Sequence, residues 1–439
     1  MEWHRSAFTL VPTDTKTHRR IPVDLPAGAG ALRVTLTFTP WTLGDLKNLV
    51  TLSITGPRGF RGAGHRHGNA VEVLIAADHA TPGYVPGEIE AGTWTVGVHT
   101  HLALTALDAE VVVETLPSPA PLPHTADTPL PALPPLQAGE WMMGDLHCHT
   151  THSDGRWSAR DLAAAALARG LRFLALTDHN TVSGRGELAR NYPGVLLPGL
   201  ELTTYYGHGV IIGHPEYADW TAYTQQSGMR PLSDTLWADA GAYVTIAHPF
   251  APGDPFCTGC NWTYFDLRPG DATHLEVWNG QRSGTHNALA LEHWYGLVAA
   301  GRRVVATAGT DNHGPTYRPD HGLTCTPATA DPARLAAQLA AGETYLSTDA
   351  ALKPSLRAGG HDIRLGGTFP GGPLDVRLEW TRPVTGTLVW VIDGRREEEP
   401  VRGLEPIERT VDVRRWLNVE VRSPDGALHT LSNPVYAGG

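Results

Sequence analysis

Only three lysines occur in the 439 residues, Lys16, Lys47 and Lys353, and the formal charge is −11. A sequence-independent nucleic-acid binder needs a concentrated positive field, so no strong nucleic-acid binding is expected, although a local basic pocket for one phosphate stays open. The excess of arginine over lysine reads as coding bias rather than function. Cysteine is also scarce: four residues cannot make a disulfide framework. The pair Cys257-Thr258-Gly259-Cys260 lacks the second pair of a zinc site and lies in a Pro- and Gly-rich loop, so it reads as a loop staple or as free thiols. No run of about 18 apolar residues exists to cross a membrane. Met1-Glu2-Trp3-His4-Arg5 leads into no apolar segment of a signal peptide, and a cytoplasmic location with no membrane partner is expected.

What is present is a chain with well-built cores. Hydrophobic residues make up 41% and aromatics 8%, which argues against disorder, and the length suits two or three domains. Residues 1–115 alternate with period two at 32–38, 50–54 and 93–98, separated by turn signals such as Gly56-Pro57, which predicts an N-terminal β-sandwich. Residues 116–138 carry eight prolines and read as an extended linker. From 139 to 350 short apolar strands alternate with helical stretches near 159–169, 232–240, 286–300 and 332–341. Ser158 is placed to cap the first helix, with Asp161 in the capping-box position and Gly170 as its stop. This rhythm predicts α/β architecture with a parallel sheet and a barrel-type active face. Residues 354–439 return to period-two strands and predict a smaller, immunoglobulin-like β-sandwich.

Six histidines and three carboxylates fall in short clusters, each where a middle-segment strand should end. They are His147, His149 and Asp154; His179; Glu201; His208; His248; and Asp311 with His313. Imidazole and carboxylate at this density are ligands of divalent metals, and nine exceed what one ion can use. His147 and His149 stand at i and i+2, which puts both rings on one face of an extended chain about 6–7 Å apart. Asp145 and Asp178 suit either orientation of an imidazole or simple turn capping. His65, His67, His99, His101 and His124 lie outside the middle segment and read as ordinary histidines.

The series Asp145-Leu146-His147-Cys148-His149-Thr150 with Ser153-Asp154-Gly155, Thr177-Asp178-His179, Gly199-Leu200-Glu201, Ala247-His248-Pro249 and Asp311-Asn312-His313 resembles the PHP (polymerase and histidinol phosphatase) superfamily. The flanking β-domains and the closing Ser432-Asn433-Pro434-Val435-Tyr436 resemble its CehA/McbA branch of metallohydrolases. The resemblance implies a distorted (β/α)7 barrel over 139–350 and two to three divalent ions, Zn, Mn or Fe. By position it implies His147, His149, Glu201 and Asp311 at the first metal. Glu201 would bridge to a second with His208 and His248, and Asp154, His179 and His313 would hold the third. His214 also follows Glu201 and can take the place of His208.

All these donors are nitrogen or oxygen. Two cations sharing a carboxylate can activate a bridging water as hydroxide and polarise a phosphoryl or carbonyl oxygen. The expected activity is therefore hydrolysis of a small phosphomonoester or phosphodiester, with Glu201, Asp311, His248 and Arg282 as the residues closest to the chemistry. Arg156, Arg282 and Arg318 lie in loops beside the clusters and can either clamp a phosphate or stay solvated. The expected partner is a small, phosphorylated molecule. The same centre serves a carbamate, ester or amide equally well in principle, and a third reading is a non-catalytic scaffold between two β-domains. The 249–274 loop, with Phe256, Trp262, Tyr264 and Phe265, is long enough for a lid or an aromatic wall, or its aromatics simply hold it down.

Overall fold

Strand alternation in the first hundred residues buries one face of each strand, and two sheets share the apolar core that results. The computed structural model describes residues 1–117, 129–137, 139–189, 191–238 and 241–438. Strands Glu2–Leu10, Leu107–Leu116, Ala31–Thr39 and Ala70–Ala76 form one four-stranded antiparallel sheet. Thr17–Leu25, Gly92–Leu102, Leu49–Gly56 and Gly59–Gly64 form the other. Val34, Leu36, Leu52, Trp94 and Val98 meet between them. Most of the proline-rich stretch, His124 included, lies outside the described residues.

The middle segment is mixed α/β, and its strands fall into two open sheets. Trp141–Asp145, Phe173–Ala175 and Val195–Leu197 run parallel in the first. In the second, Gly199–Thr203, His208–Ile212 and Tyr243–Ile246 pair antiparallel, and His274–Asn279 and Val305–Gly309 continue in parallel. The expected parallel (β/α)7 barrel is thus corrected: no closed barrel is found among the described residues. One cause lies at the far edge of the first sheet. Leu323–Pro327 and Tyr345–Ser347 pair antiparallel there, and Tyr345–Ser347 is then taken up by Leu428–Ser432 of the C-terminal segment. The ladder continues through Trp416–Arg422, Val384–Ile392 and Arg395–Gly403, and with Thr368–Phe369 and Val435–Ala437 beside it a single eleven-stranded sheet spans the expected boundary near 350. A second C-terminal sheet holds His361–Ile363, Leu352–Ala358, Gly372–Trp380 and Ile407–Val413.

The two middle sheets share a core that includes Phe173, Val195, Val210 and Tyr243, and their strand ends are joined directly. Single-residue parallel bridges join Cys148 to Asn312 and His179 to Glu201. Asp311 N–H donates to the His147 carbonyl at 2.7 Å, and Asn180 N–H to that of Glu201 at 3.0 Å. The predicted cap is present: Ser158 Oγ accepts from Asp161 N–H at 3.0 Å, opening helix Ala159–Ala168. Three further helices, Arg230–Ala238, Thr285–Ala299 and Pro332–Ala340, lie near their predicted places, and a short one, Arg185–Leu188, was not expected.

Asn433 explains how the C-terminal segment grips this arrangement. Val305–Gly309 is an edge strand with open backbone groups. The Asn433 side chain accepts from Ala306 N–H at 2.8 Å and donates to the Ala306 carbonyl at 2.9 Å and to Thr344 Oγ1 at 2.7 Å. It acts as one rung of a missing strand, on the element that leads into Asp311. Asn433→Ala leaves a buried donor and acceptor unpaired, and should lower unfolding free energy by roughly 1–3 kcal/mol. Chemical denaturation of both proteins reads this directly; equal midpoints would contradict it.

Candidate metal centre

All nine sequence-predicted ligands converge on the end where the two sheets meet. Glu201 lies at the middle, fully buried in strand Gly199–Thr203. Its Oε1 faces His147 Nε2 at 3.3 Å, His208 Nδ1 at 3.2 Å and His248 Nε2 at 3.3 Å. Its Oε2 faces His149 Nε2 at 3.4 Å and His179 Nδ1 at 2.7 Å. Asp311 Oδ1 stands 3.0 Å from His149 Nε2 and 3.5 Å from His147 Nε2. Asp154 Oδ1 stands 3.2 Å from His313 Nε2 and 3.5 Å from His179 Nε2.

The backbone is arranged to aim these groups. His248 and Asp311 hold positive φ angles of 28° and 46°, a conformation that non-glycine residues adopt at a cost and that collects at functional sites. Gly309 leaves room for the first histidine, since a Cβ there would lie 2.2 Å from His147 Cβ. Three rings are also tied from behind. His147 Nδ1 faces Glu276 Oε1 at 3.0 Å, His248 Nδ1 the Cys260 carbonyl at 3.0 Å, and His313 Nδ1 the Asp311 carbonyl at 2.9 Å. An Nδ1–H donated outward leaves the Nε2 lone pair pointing into the cluster, the usual posture of a metal-bound imidazole.

Electrostatics favours anionic carboxylates here. Burial opposes ionisation of Glu201, but the charges of His179, His147 and His208 outweigh it and hold the carboxyl well below its ordinary range. Burial likewise opposes ionisation of Asp311, and His147, His149 and His313 overcome it. Burial lowers His248, yet Glu201 brings it up to about 9, and Asp154 and Asp311 bring a part-buried His313 up to about 10.

The set fits divalent cations. Buried His147 Nε2, both nitrogens of His149 and His208, Asp154 Oδ1 and Glu201 Oε2 have no hydrogen-bond partner, a costly condition unless something else binds them. Two ligand atoms each about 2.1 Å from one ion lie about 3.0–3.5 Å apart at octahedral to tetrahedral angles, and most of the contacts above fall in that span. Four overlapping groups have donor atoms close enough to share an ion: His149, Asp154, His179 and His313; His147, His149 and Glu201; His147, His248 and Asp311; His179, Glu201 and His208. This mixes the three implied sets, with His149 also beside Asp154 and His248 beside Asp311. His208, not His214, is the histidine that reaches Glu201.

Other expectations land differently. Arg282 does not reach the cluster: its guanidinium is held by Ser423 Oγ at 2.9 Å and Asp425 Oδ2 at 3.1 Å in the C-terminal segment. Arg156 and Arg318 line a depression that shares Asp311 and His313 with the centre. Asp145 and Asp178 organise turns rather than imidazoles. Asp145 accepts from Thr310 N–H at 3.0 Å and His147 N–H at 3.2 Å, and Asp178 from Thr150 N–H at 2.8 Å and Ser153 Oγ at 2.7 Å. Cys257 and Cys260 form a disulfide. Trp262 and Tyr264 are buried, whereas Phe256 and Phe265 are exposed. Glu276 went unnoticed in the sequence; its signal is a lone acid inside the apolar run 275–278. The histidines of the N-terminal domain divide. His99 and His101 make buried hydrogen bonds with Ser53 at 2.7 Å and Thr51 at 3.0 Å, but the His65 ring packs 4.5 Å from that of His179.

No family model matches the chain. A 5'-3' exoribonuclease of Haemophilus influenzae is 43% identical over 72 residues, 16% of this chain and 26% of that protein. The 5'-3' exoribonuclease Rnm of Salmonella typhimurium is 33% identical over 108 residues, 22% of this chain and 36% of that protein. The chain thus spans well under half the length of these curated relatives. A solved two-domain protein of Bacteroides vulgatus, described as containing a predicted PHP-like metal-dependent phosphoesterase, superposes with a TM-score of 0.38 at 16% identity. The match covers 70% of this chain and 99% of that one.

Two outcomes follow from this geometry. His248 and His313, raised above neutrality, carry protons near pH 7 in the metal-free protein, so a cation must displace them and its apparent affinity should rise as pH rises toward 9–10. Calorimetry in buffers of different ionisation enthalpy at pH 7 should register net proton release as the centre is loaded; no release would contradict the ligand assignment. Glu276→Gln keeps the shape but removes the charge behind His147, and should weaken metal affinity by roughly 10–100-fold. An unchanged affinity would show that Glu276 does not orient that ring.

Proposed function

We propose that the chain is a metal-dependent hydrolase that cleaves a small phosphomonoester or phosphodiester. The observation that carries this reading is Glu201, a buried carboxylate with imidazole nitrogens distributed over both of its oxygens, three at Oε1 and two at Oε2. A carboxylate serving two ions is expected to divide its neighbours in this way. His147, His149, His208, His248 and Asp311 would hold those ions with it, and Asp154, His179 and His313 form the outer set. When bound, divalent cations supply activation of water and polarisation of the phosphoryl oxygen.

The chain's own residues account for the rest. Glu276 and the Cys260 carbonyl orient His147 and His248 from behind. Asn279 Nδ2, 3.3 Å from Asp311 Oδ2 and 3.1 Å from Glu276 Oε2, ties these two carboxylates together. Arg156 and Arg318, beyond Asp311 and His313, offer cationic donors to a phosphoryl group approaching from that side. The curated relatives are named exoribonucleases, enzymes of a phosphodiester bond. From them we take the bond and not the polymer, because a net charge of −11 disfavours a long polyanion. A compact cavity of about 380 Å³ above the ligands suits a small molecule.

The test is turnover by metal-loaded protein on a panel of aryl phosphates, aryl phosphodiesters and aryl carbamates. Phosphoester cleavage should exceed the buffer rate and vanish in Glu201→Ala. Carbamate cleavage without phosphoester cleavage would replace this reading with the carbonyl one.

A further inference from the structure

The cavity above the cluster is not enclosed by the middle segment alone. Asp154, His179, His208, His248, Asp311 and His313 form its floor, and the disulfide-closed turn from Pro255 to Cys260 forms one side. The facing side comes from the N-terminal domain: Asp45, Leu46, Lys47, Leu49, Leu102, and the pair His65 and His67.

This domain is docked where it matters most. In His65-Arg66-His67 the chain alternates, with the arginine pointing into the domain junction and the two imidazoles lining the cavity. Arg66 donates to the carbonyls of Thr151 at 2.5 Å and Ser153 at 3.2 Å, in the loop that carries Asp154, and also to the Pro82 carbonyl at 2.7 Å. Gly83 N–H donates to His152 Nδ1 at 3.2 Å, and its carbonyl accepts from Thr181 Oγ1 at 2.7 Å. A Cβ on Gly83 would lie 2.7 Å from the His152 carbonyl, so the backbones approach as closely as glycine permits. On the other lip, Thr258 Oγ1 donates to the His101 carbonyl at 3.3 Å, and Lys16 Nζ pairs with Asp254 at 2.7 Å. The wall is therefore anchored on both sides of the metal ligands. It carries the polar side chains of Asp45, Lys47, His65 and His67 beside the apolar Leu46, Leu49 and Leu102.

We infer that the N-terminal β-domain is part of the substrate site, with Lys47, His65 and His67 contacting the non-reacting half of a compact ester whose reacting group lies at the metal centre. This rests on the hydrolase reading of the centre but not on the identity of the bond. The substrate class it favours is a small ester with hydrogen-bond-accepting atoms on its non-reacting half. A chain-interior bond of a polymer would have to pass through a side that the docked domain occupies.

The test uses the full-length, metal-loaded protein with p-nitrophenyl phosphate and a p-nitrophenyl carbamate, so that failure of the phosphoester reading shows as carbamate turnover alone. On whichever ester is cleaved, Lys47→Ala and His65→Ala should raise KM about tenfold or more and leave kcat within about threefold, with metal content unchanged. His65→Asn, which keeps a donor and an acceptor, should recover part of the lost KM. If both alanine variants keep the wild-type KM, or if they lose kcat and metal together without a change in KM, the N-terminal wall is a scaffold and the inference is overturned.

Discussion

A carboxylate sealed from water is costly unless its charge is met on every side. Glu201 is such a group, and five imidazoles surround it, His147 and His149 from the turn after Trp141–Asp145 and one each from the ends of three other strands. Around it the two middle sheets converge without fusing, and the His179–Glu201 and Cys148–Asn312 bridges are the stitches between them. The positive φ angles of His248 and Asp311 and the close approach of Gly309 to His147 serve the same convergence. Taken without a cation, the centre must balance its buried carboxylates with protonated imidazoles, His248 and His313 among them.

The periphery can be understood as support for that arrangement. Glu276 and the Cys260 carbonyl hold two of the rings from behind, and the second belongs to a turn closed by the Cys257–Cys260 disulfide. Asn433 reaches from the C-terminal segment to the edge strand that delivers Asp311 and His313. Arg66 reaches from the N-terminal domain to the loop that delivers Asp154. Each flanking segment thus braces a different stretch of chain that leads into the cluster.

The nine converging residues were legible in the sequence because each stands in a local signature at the end of an apolar run, and short-range pattern is what a sequence displays. The first helix was legible for the same reason, through Ser158, Asp161 and Gly170. Strand partnership was not. Whether Tyr345–Ser347 closes a barrel or pairs with Leu428–Ser432 depends on contacts more than 80 residues apart, and nothing local to 345–347 records the choice. His65 and His67 show the same limit. Their i, i+2 spacing matches that of His147 and His149, but nothing local to them records that His65 packs on His179 and that both rings line the cavity. Arg282 is the converse case, a cation close in sequence to the clusters whose partners, Ser423 and Asp425, lie in the C-terminal segment.

The central claim is that the atoms facing one another around Glu201 do so because cations belong between them. Anomalous diffraction from crystals equilibrated with manganese or zinc tests it most directly. The account predicts at least two strong peaks, each within about 2.0–2.3 Å of a Glu201 oxygen and of the surrounding imidazole nitrogens. A map with no peak at Glu201, under conditions where the ions are in excess and the protein is folded, would contradict it.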